Sequence, residues 1–187
     1  VRNDGTLGTL ANAANATTLR VGSGVTTPTI LNNGFITAAA ATELVNSVNA
    51  VRIEAGANVA TLTNNGNILA TAGGGTANLT AIQDLSGTLT AVLNTGSLQA
   101  NLVANAAGAP LTGTAIALDA RANTTGVNFT QTGVLSPTDS TADDTDNDGV
   151  DDGVSRISGQ RQAGFGIGED AVAAATQVGE VRLDRTA

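Results

Sequence analysis

The sequence predicts an all-β chain folded as a right-handed parallel β-helix (β-solenoid) with about 31–34 residues per coil. Three observations predict this fold. Two sequence blocks recur in the same order, apolar residues alternate with period 2 inside the blocks, and glycine-containing corners separate them. After the solenoid we expect an irregular or short helical C-terminal segment.

The first repeated block is a short aliphatic strand, usually followed by glycine. It begins at Leu19, Val51 and Ile82, with a fourth echo at Ile116, so the starts lie 32, 31 and 34 residues apart. The second block begins with Leu or Thr and continues through an Asn-Asn-Gly or Asn-Thr-Gly corner to an aliphatic residue, at 31–36, 63–68 and 93–98. Two blocks recurring in one order indicate a repeat protein.

Stacked coils place equivalent residues directly above one another, because alternate residues of a strand point to one face. The corners are expected to use glycine for its tolerance of positive φ. Aligning the repeated blocks in this way predicts two stacks of aliphatic side chains and one ladder, in which asparagine side chains of successive coils lie above one another. The expected members are Leu19, Val51, Ile82 and Ile116 for the first stack, Ile36, Ile68 and Leu98 for the second, and Asn32, Asn64 and Asn94 for the ladder.

A tandem of helical hairpins is the alternative fold, since alanine favours helix. The Ala-rich range 38–49 is open to a helical excursion between coils, and 169–177 to a short helix at the end of the solenoid. Asn, Gly and Thr dominate the repeated blocks and are poor helix formers, which favours the solenoid. The expected organisation is solenoid coils over 1–135, an acidic calcium-binding insertion over 136–155, and a coil, linker or capping segment over 156–187.

The acidic insertion fits the pattern D-x-D-x-D-G-x-x-D, in which alternate carboxylates converge on one point and glycine lets the chain turn. Hard oxygen ligands in this spacing predict calcium. Ser155 stands where an EF-hand would carry a bidentate Glu, so an EF-hand is not predicted. The alternative is a solvated acidic loop. The expected ligands are Asp144, Asp146, Asp148, the backbone carbonyl of Val150, and Asp152, with Asp139 and Asp151 as spare candidates.

The composition excludes most enzyme classes. The chain has no His, Cys, Lys or Tyr, and therefore lacks the residues of most triads, thiol nucleophiles and transition-metal sites. Asp84 and Asp119 are the carboxylate pair that polysaccharide cleavage would need, but the chain has no Trp or Tyr to hold a sugar. Arg20 and Arg52 occupy equivalent places. They are expected to face solvent and pair with Glu54 or Asp84, the alternative being a polar row that binds a glycan.

The net charge of -8 is concentrated, because seven of the 16 acidic residues lie within 139–152. Without a basic stripe, nucleic acid is not an expected partner. No apolar run reaches the roughly 18–20 residues of a transmembrane helix, so no direct membrane insertion is expected. The start at Val1 is neither an initiator Met nor a signal peptide, which predicts an interior piece or a processed product.

The blocks resemble a known family. The arrangement aliphatic-Arg-aliphatic-x-x-Gly, followed by Asn-Asn/Thr-Gly-x-Ile, is similar to passenger regions of bacterial autotransporter-type surface proteins over about residues 5–135. The acidic loop resembles the calcium loops of thrombospondin type 3 and dockerin-like repeats. The resemblance implies an extracellular β-helix at the bacterial cell surface.

Together these features predict a non-catalytic structural module, stabilised by calcium and self-associating through open β-helix ends. The alternative is an adhesin whose lateral loops, at 38–49, 104–113 and 136–155, contact a glycan or host surface. An enzyme acting on polysaccharide is the third hypothesis.

Overall fold

The computed structural model describes residues 1–11, 15–40, 47–73, 77–103, 113–132, 134–136 and 155–159. Within these ranges every regular element is a β-strand. The described part of the chain contains no helix long and apolar enough to cross a lipid bilayer. The predicted all-β class is confirmed for these residues.

In the described part of the chain, fifteen strands form three sheets of five strands each. The first sheet contains β1 (Arg2–Asn3), β4 (Thr29–Asn32), β7 (Thr61–Asn64), β10 (Ala91–Asn94) and β13 (Asn128–Gln131). The second contains β2 (Thr6–Ala11), β5 (Phe35–Ala40), β8 (Asn67–Gly73), β11 (Ser97–Val103) and β14 (Val134–Ser136). The third contains β3 (Ala16–Val21), β6 (Ser47–Ile53), β9 (Asn78–Asp84), β12 (Ala115–Ala120) and β15 (Ser155–Gly159).

The chain visits the three sheets in rotation, and each strand pairs in parallel with the strand three positions later in the order. We call three consecutive strands, one from each sheet, a triplet; triplet 1 is β1–β3 and triplet 5 is β13–β15. Parallel strands need a long connection to return to the same sheet, and here two further strands supply it. This stacking of parallel strands is compatible with the expected β-helix.

Side-chain alternation explains why these segments are strands. Strand β5 alternates between exposed or half-buried residues and buried residues, and β7 and β8 repeat the pattern. The buried apolar residues are Ala, Val, Ile and Leu together with Phe129, and they form one core cluster. Small and branched aliphatic side chains pack well between pleated surfaces, so the core is built almost without aromatic residues.

The register confirms most of the predicted stacks. Leu19 pairs with Val51, and Val51 pairs with Ile82. The second stack, Ile36, Ile68 and Leu98, is confirmed in full. The prediction for Ile116 is wrong, because Leu118 is the partner of Ile82 and Ile116 lies opposite Thr80. A shift of two residues keeps every side chain on its own face, so the period-2 pattern alone did not reveal it.

The possible helical excursion at 38–49 is also wrong where it can be tested. Ala38–Ala40 end strand β5, and Ser47–Asn49 begin strand β6. The strand pairing on both sides of this range outweighs the helix preference of alanine, because a neighbouring strand already presents backbone partners. Residues 41–46 and 169–177 lie outside the described residues. So does nearly all of the predicted C-terminal segment, of which the described part, 156–159, belongs to β15.

Candidate functional site

The predicted calcium ligands cannot be placed in this fold. They all lie outside the described residues, as do both spare candidates: Asp144, Asp146, Asp148, Val150, Asp152, Asp139 and Asp151. Within the described ranges, no group of three or more acidic, histidine or cysteine side chains is arranged to hold a metal ion. The calcium loop therefore stays a prediction.

A ladder of hydrogen-bonded side-chain amides lies at the corner between the first and second sheets. Each Nδ2 donates to the side-chain oxygen of the next triplet. The successive distances are 2.7 Å from Asn3 to Asn32, 2.7 Å from Asn32 to Asn64, 2.6 Å from Asn64 to Asn94, and 2.9 Å from Asn94 to Gln131. The three predicted members are confirmed.

The ladder is buried, and its spare donors are satisfied. The side chains of Asn32, Asn64 and Asn94 are fully buried. The second N–H of Asn32 donates to the backbone carbonyls of Gly34 and Asn67, both at 3.1 Å. Leaving a buried polar group unpaired costs about 1–3 kcal/mol, so any slip of register would be penalised at several rungs together. The ladder therefore fixes the vertical alignment of the triplets.

The two end members, Asn3 and Gln131, were not predicted. A usable signal was present, since Asn3-Asp4-Gly5 and Gln131-Thr132-Gly133 share the amide-x-Gly spacing of the recognised corners. The residues joined by successive rungs lie 29, 32, 30 and 37 positions apart in the sequence. This range is wider than the expected 31–34 residues per coil. The longest step spans the segment between β11 and β12, where the chain carries extra residues.

A column of glycines lies beside the ladder, and its physical reason differs from the predicted one. A Cβ on Gly34 would overlap the carbonyl oxygen of Gly5, one on Gly66 that of Gly34, and one on Gly96 that of Gly66. None of these three glycines is among those with positive φ. Close approach of successive backbones, and not a left-handed conformation, requires glycine at these corners.

Positive φ occurs at a different corner, between the third sheet and the next triplet. Gly24, Gly56, Gly87 and Gly126 have φ between 71° and 91°. L-residues adopt this region at a steric cost, so glycine is favoured there by its own backbone. The two glycine columns therefore serve two different corners for two different reasons.

The predicted arginine pairing is confirmed on the outer face of the third sheet. Arg20 and Arg52 are register partners, and Oε1 of Glu54 accepts from both Nε atoms, at 2.7 Å and 3.0 Å. The hydrogen bond from Arg20 lowers the pKa of Glu54, burial raises it by less, and the bond from Arg52 lowers it further. Both guanidinium groups are thus engaged by one carboxylate of the same fold.

The two carboxylates considered for catalysis do not face one site. Asp119 pairs in register with Gln83, and Asp84 is the next residue on that strand, so the two aspartates belong to opposite faces of the third sheet. Asp84 accepts from the backbone N–H groups of Ser86 and Leu89, at 2.9 Å and 3.3 Å, and closes a turn. This arrangement does not present both carboxylates to one substrate.

Asp119 forms a local ion pair. Its two oxygens accept from Nε and Nη2 of Arg121, at 2.9 Å and 2.8 Å. Burial raises the pKa of Asp119, but the hydrogen bonds from the Arg121 side chain and backbone together lower it more, and the net pKa lies below the ordinary value. The group is an ionised structural carboxylate.

The N-terminal edge of the three sheets is open in the described structure. Strands β1, β2 and β3 are the outer strands on this side, and β13, β14 and β15 are the outer strands on the other. The edge also exposes apolar side chains, with Val1 at 53% and Leu7 at 38% of their full exposure. Leu7 heads the stack that continues with the fully buried Ile36, so it marks the uncovered end of the core.

No match to this chain was found among protein-family models, curated proteins or solved structures.

Proposed function

We propose that this chain is a non-catalytic structural module, folded as a right-handed parallel β-helix and assembled end to end through its open sheet edges. The observation that carries the proposal is the continuous register of three parallel sheets, which end in outer strands with no described partner. Unpaired strand edges are templates for further pairing. A module of this design extends by adding units and resists bending along its stack.

The proposed handedness follows from a general rule of chain connection. Crossovers between parallel strands of one sheet are right-handed in about 98% of cases. Each of the three sheets here is built from such crossovers, because each strand pairs with one that follows after two others. A solenoid of coils is the arrangement that satisfies all three sheets together.

The non-catalytic role is supported by where the polar side chains are used. Buried amides form the ladder, Asp84 closes a turn, and Asp119 and Glu54 bind neighbouring arginines. The chain has no His, Cys, Lys or Tyr that could act as a nucleophile or general base. These polar groups bond to other groups of the fold and stabilise the stack, and in this proposal none of them acts on a substrate.

The proposed location is the surface of a bacterial cell, outside the membrane. It is supported by the resemblance of the repeats to autotransporter-type passengers. Millimolar extracellular calcium would occupy even a weak site in the acidic loop at 144–152. In this proposal the bound ion stabilises the loop and takes no part in a reaction.

Negative-stain imaging and sedimentation velocity, each over a range of concentration and with or without a chelator, test this proposal. We expect particles that lengthen along one axis as concentration rises, and shorten or melt earlier when calcium is removed. A chain that stays monomeric at all concentrations would contradict end-to-end assembly. A monomer that binds carbohydrates in a glycan screen would instead favour the adhesin alternative.

A further inference from the structure

The sequence has two Asn-Gly steps, and both belong to the tripeptide Asn-Asn-Gly, at 32–34 and 64–66. In each tripeptide the first asparagine is a buried rung of the ladder and the second is exposed. An asparagine followed by glycine is open to an intramolecular reaction, because glycine has no side chain to shield its backbone nitrogen from the carboxamide carbon. Since the two corners share the same three residues, a difference in their reactivity has to come from the fold.

The side chains of the two exposed asparagines are held alike within the described ranges. Nδ2 of Asn33 donates to Oδ1 of Asp4 at 2.7 Å, and Nδ2 of Asn65 donates to Oδ1 of Asn33 at 2.9 Å. Oδ1 of Asn65 accepts from the hydroxyl of Thr95 at 2.8 Å. Each carboxamide therefore donates one hydrogen bond and accepts one, and these bonds do not distinguish the two corners.

The backbone N–H groups of the two glycines do distinguish the corners. The N–H of Gly66 donates to the backbone carbonyl of Asn32 at 3.1 Å. In the part of the chain that the structure describes, the N–H of Gly34 has no acceptor, although Gly34 is buried. A buried donor without a partner is unfavourable. The first corner therefore holds a backbone nitrogen that loses no hydrogen bond when it reacts.

We propose that Asn33 is a site of spontaneous deamidation, in which the backbone nitrogen of Gly34 displaces the side-chain amide. This nitrogen forms a bond to Cγ of Asn33, the bond from Cγ to Nδ2 breaks, and the proton of the Gly34 N–H leaves with Nδ2 as ammonia. Water then opens the five-membered imide at either carbonyl. The products are aspartate, or isoaspartate with the main chain running through the former side chain. The reaction is independent of the proposed assembly.

Ring closure has opposite consequences at the two corners. At Asn33 it removes the unpaired, buried N–H of Gly34 and with it the cost of that group. At Asn65 it breaks the hydrogen bond that Gly66 donates. One backbone hydrogen bond changes a rate by about twofold to tenfold, so we expect Asn33 to be modified faster by about this factor.

The product would change the surroundings of Asp4. A carboxylate at position 33 would face Oδ1 of Asp4 in place of the amide that now donates at 2.7 Å. The hydrogen bond from Asn33 lowers the pKa of Asp4 more than the one from Arg2 does, so the pKa of Asp4 should rise on modification. Isoaspartate would also lengthen the main chain by one carbon, directly after the buried rung at Asn32.

Ageing of the full chain at neutral pH, followed by mass spectrometry of its peptides, tests the proposal. Cleavage after arginine places the two corners on separate peptides, 21–52 and 53–121. Fragment spectra locate the mass gain of each amide-to-acid conversion, and an isoaspartyl methyltransferase reports the isoaspartate. The same measurement in concentrated urea is the matched control, because both corners are then unfolded copies of one tripeptide.

We expect conversion at Asn33 to be about twofold to tenfold faster than at Asn65 in the folded chain, and the two rates to be equal in urea. Equal rates in the folded chain, or faster conversion at Asn65, would overturn the proposal. It would also be overturned by a ratio that persists unchanged in urea, or by a folded chain that is not modified at Asn33.

Two glutamine variants provide an independent readout. Glutamine keeps the neutral carboxamide but needs a larger ring, which closes more slowly. Asn33→Gln should therefore remove most of the acidic isoforms that isoelectric focusing detects on ageing, and Asn65→Gln should leave most of them. Both positions are exposed, so both variants are expected to fold. Acidic isoforms that persist at the wild-type level in Asn33→Gln would contradict the assigned site.

Discussion

Asn32 and Asn64 are joined by a 2.7 Å hydrogen bond between their side chains, in a place where neither side chain is accessible to water. The bond links two triplets whose residues are 32 positions apart in the sequence. Equivalent bonds with the same donor direction join the neighbouring triplets on both sides. Asparagine at this one position therefore aligns the strands of the first sheet.

Removal of one ladder rung should destabilise the fold. Asn64→Ala leaves the Nδ2 of Asn32 and the Oδ1 of Asn94 without this partner, at a cost of about 1–3 kcal/mol in unfolding free energy. Urea unfolding followed by circular dichroism measures it. Asn65→Ala is the matched control, because Asn65 also bonds within a column but is exposed. Equal costs for the two variants would contradict the structural role of the buried ladder.

Gly66→Ala should destabilise the chain through contact alone. Its Cβ would overlap the carbonyl oxygen of Gly34, and overpacking of this kind costs about 1–3 kcal/mol. Gly73→Ala is the control, since a Cβ there meets nothing within 4 Å. Thermal melting of both variants checks the difference. A Gly66→Ala variant as stable as Gly73→Ala would show that the backbones do not approach closely at this corner.

The Asp119–Arg121 pair should make stability depend on acid. The pKa of Asp119 is lower in the folded chain than its ordinary value of 3.8, so its stabilising contribution is present above that value and is lost as pH falls through the folded pKa. We expect Asp119→Asn to cost about 1–2 kcal/mol at neutral pH and progressively less below pH 3.8.

Unfolding of the wild-type chain and of Asp119→Asn at several pH values measures this dependence. Asp4→Asn provides a comparison, since Asp4 pairs with Arg2 on the exposed edge and should contribute less, with stronger screening by salt. A difference between wild type and Asp119→Asn that stays constant from neutral pH to pH 3 would contradict the assigned pair.

Calcium removal should destabilise the chain if the acidic loop binds the ion. Binding to the folded state contributes about 2.7 kcal/mol at a hundredfold excess over the Kd. We expect this gain to disappear with a chelator and in the double variant Asp144→Ala and Asp148→Ala. Asp184→Ala serves as a control for the loss of acidic charge elsewhere in the sequence. Calorimetry that finds no heat of calcium binding to the wild-type chain would refute the site.

The sequence predicted a residue's position correctly where the local alternation of side chains and the repeat agreed with the pairing of strands in the fold. Val51 and Ile68 were placed correctly because alternation identified their face and the repeat identified their neighbours. Leu118 was missed because a two-residue shift leaves the alternation unchanged. Gln131 was missed because glutamine replaces asparagine in the last rung, although its amide makes the same hydrogen bond.

The role of the corner glycines was beyond sequence reasoning for a different reason. Asn-Gly is a local turn signal, and positive φ is its usual explanation. At Gly66 the cause is a carbonyl from a residue 32 positions earlier, a relation that exists only after the triplets have stacked.

The spacing of strand layers in an assembled particle, measured by electron cryomicroscopy, tests the central claim most directly. Stacked triplets, each contributing one layer of about 4.8 Å, predict a filament with this layer spacing along its axis and continuous strand layers across each junction between chains. Discrete monomers, or chains joined side by side with their sheet edges still uncovered, would contradict it.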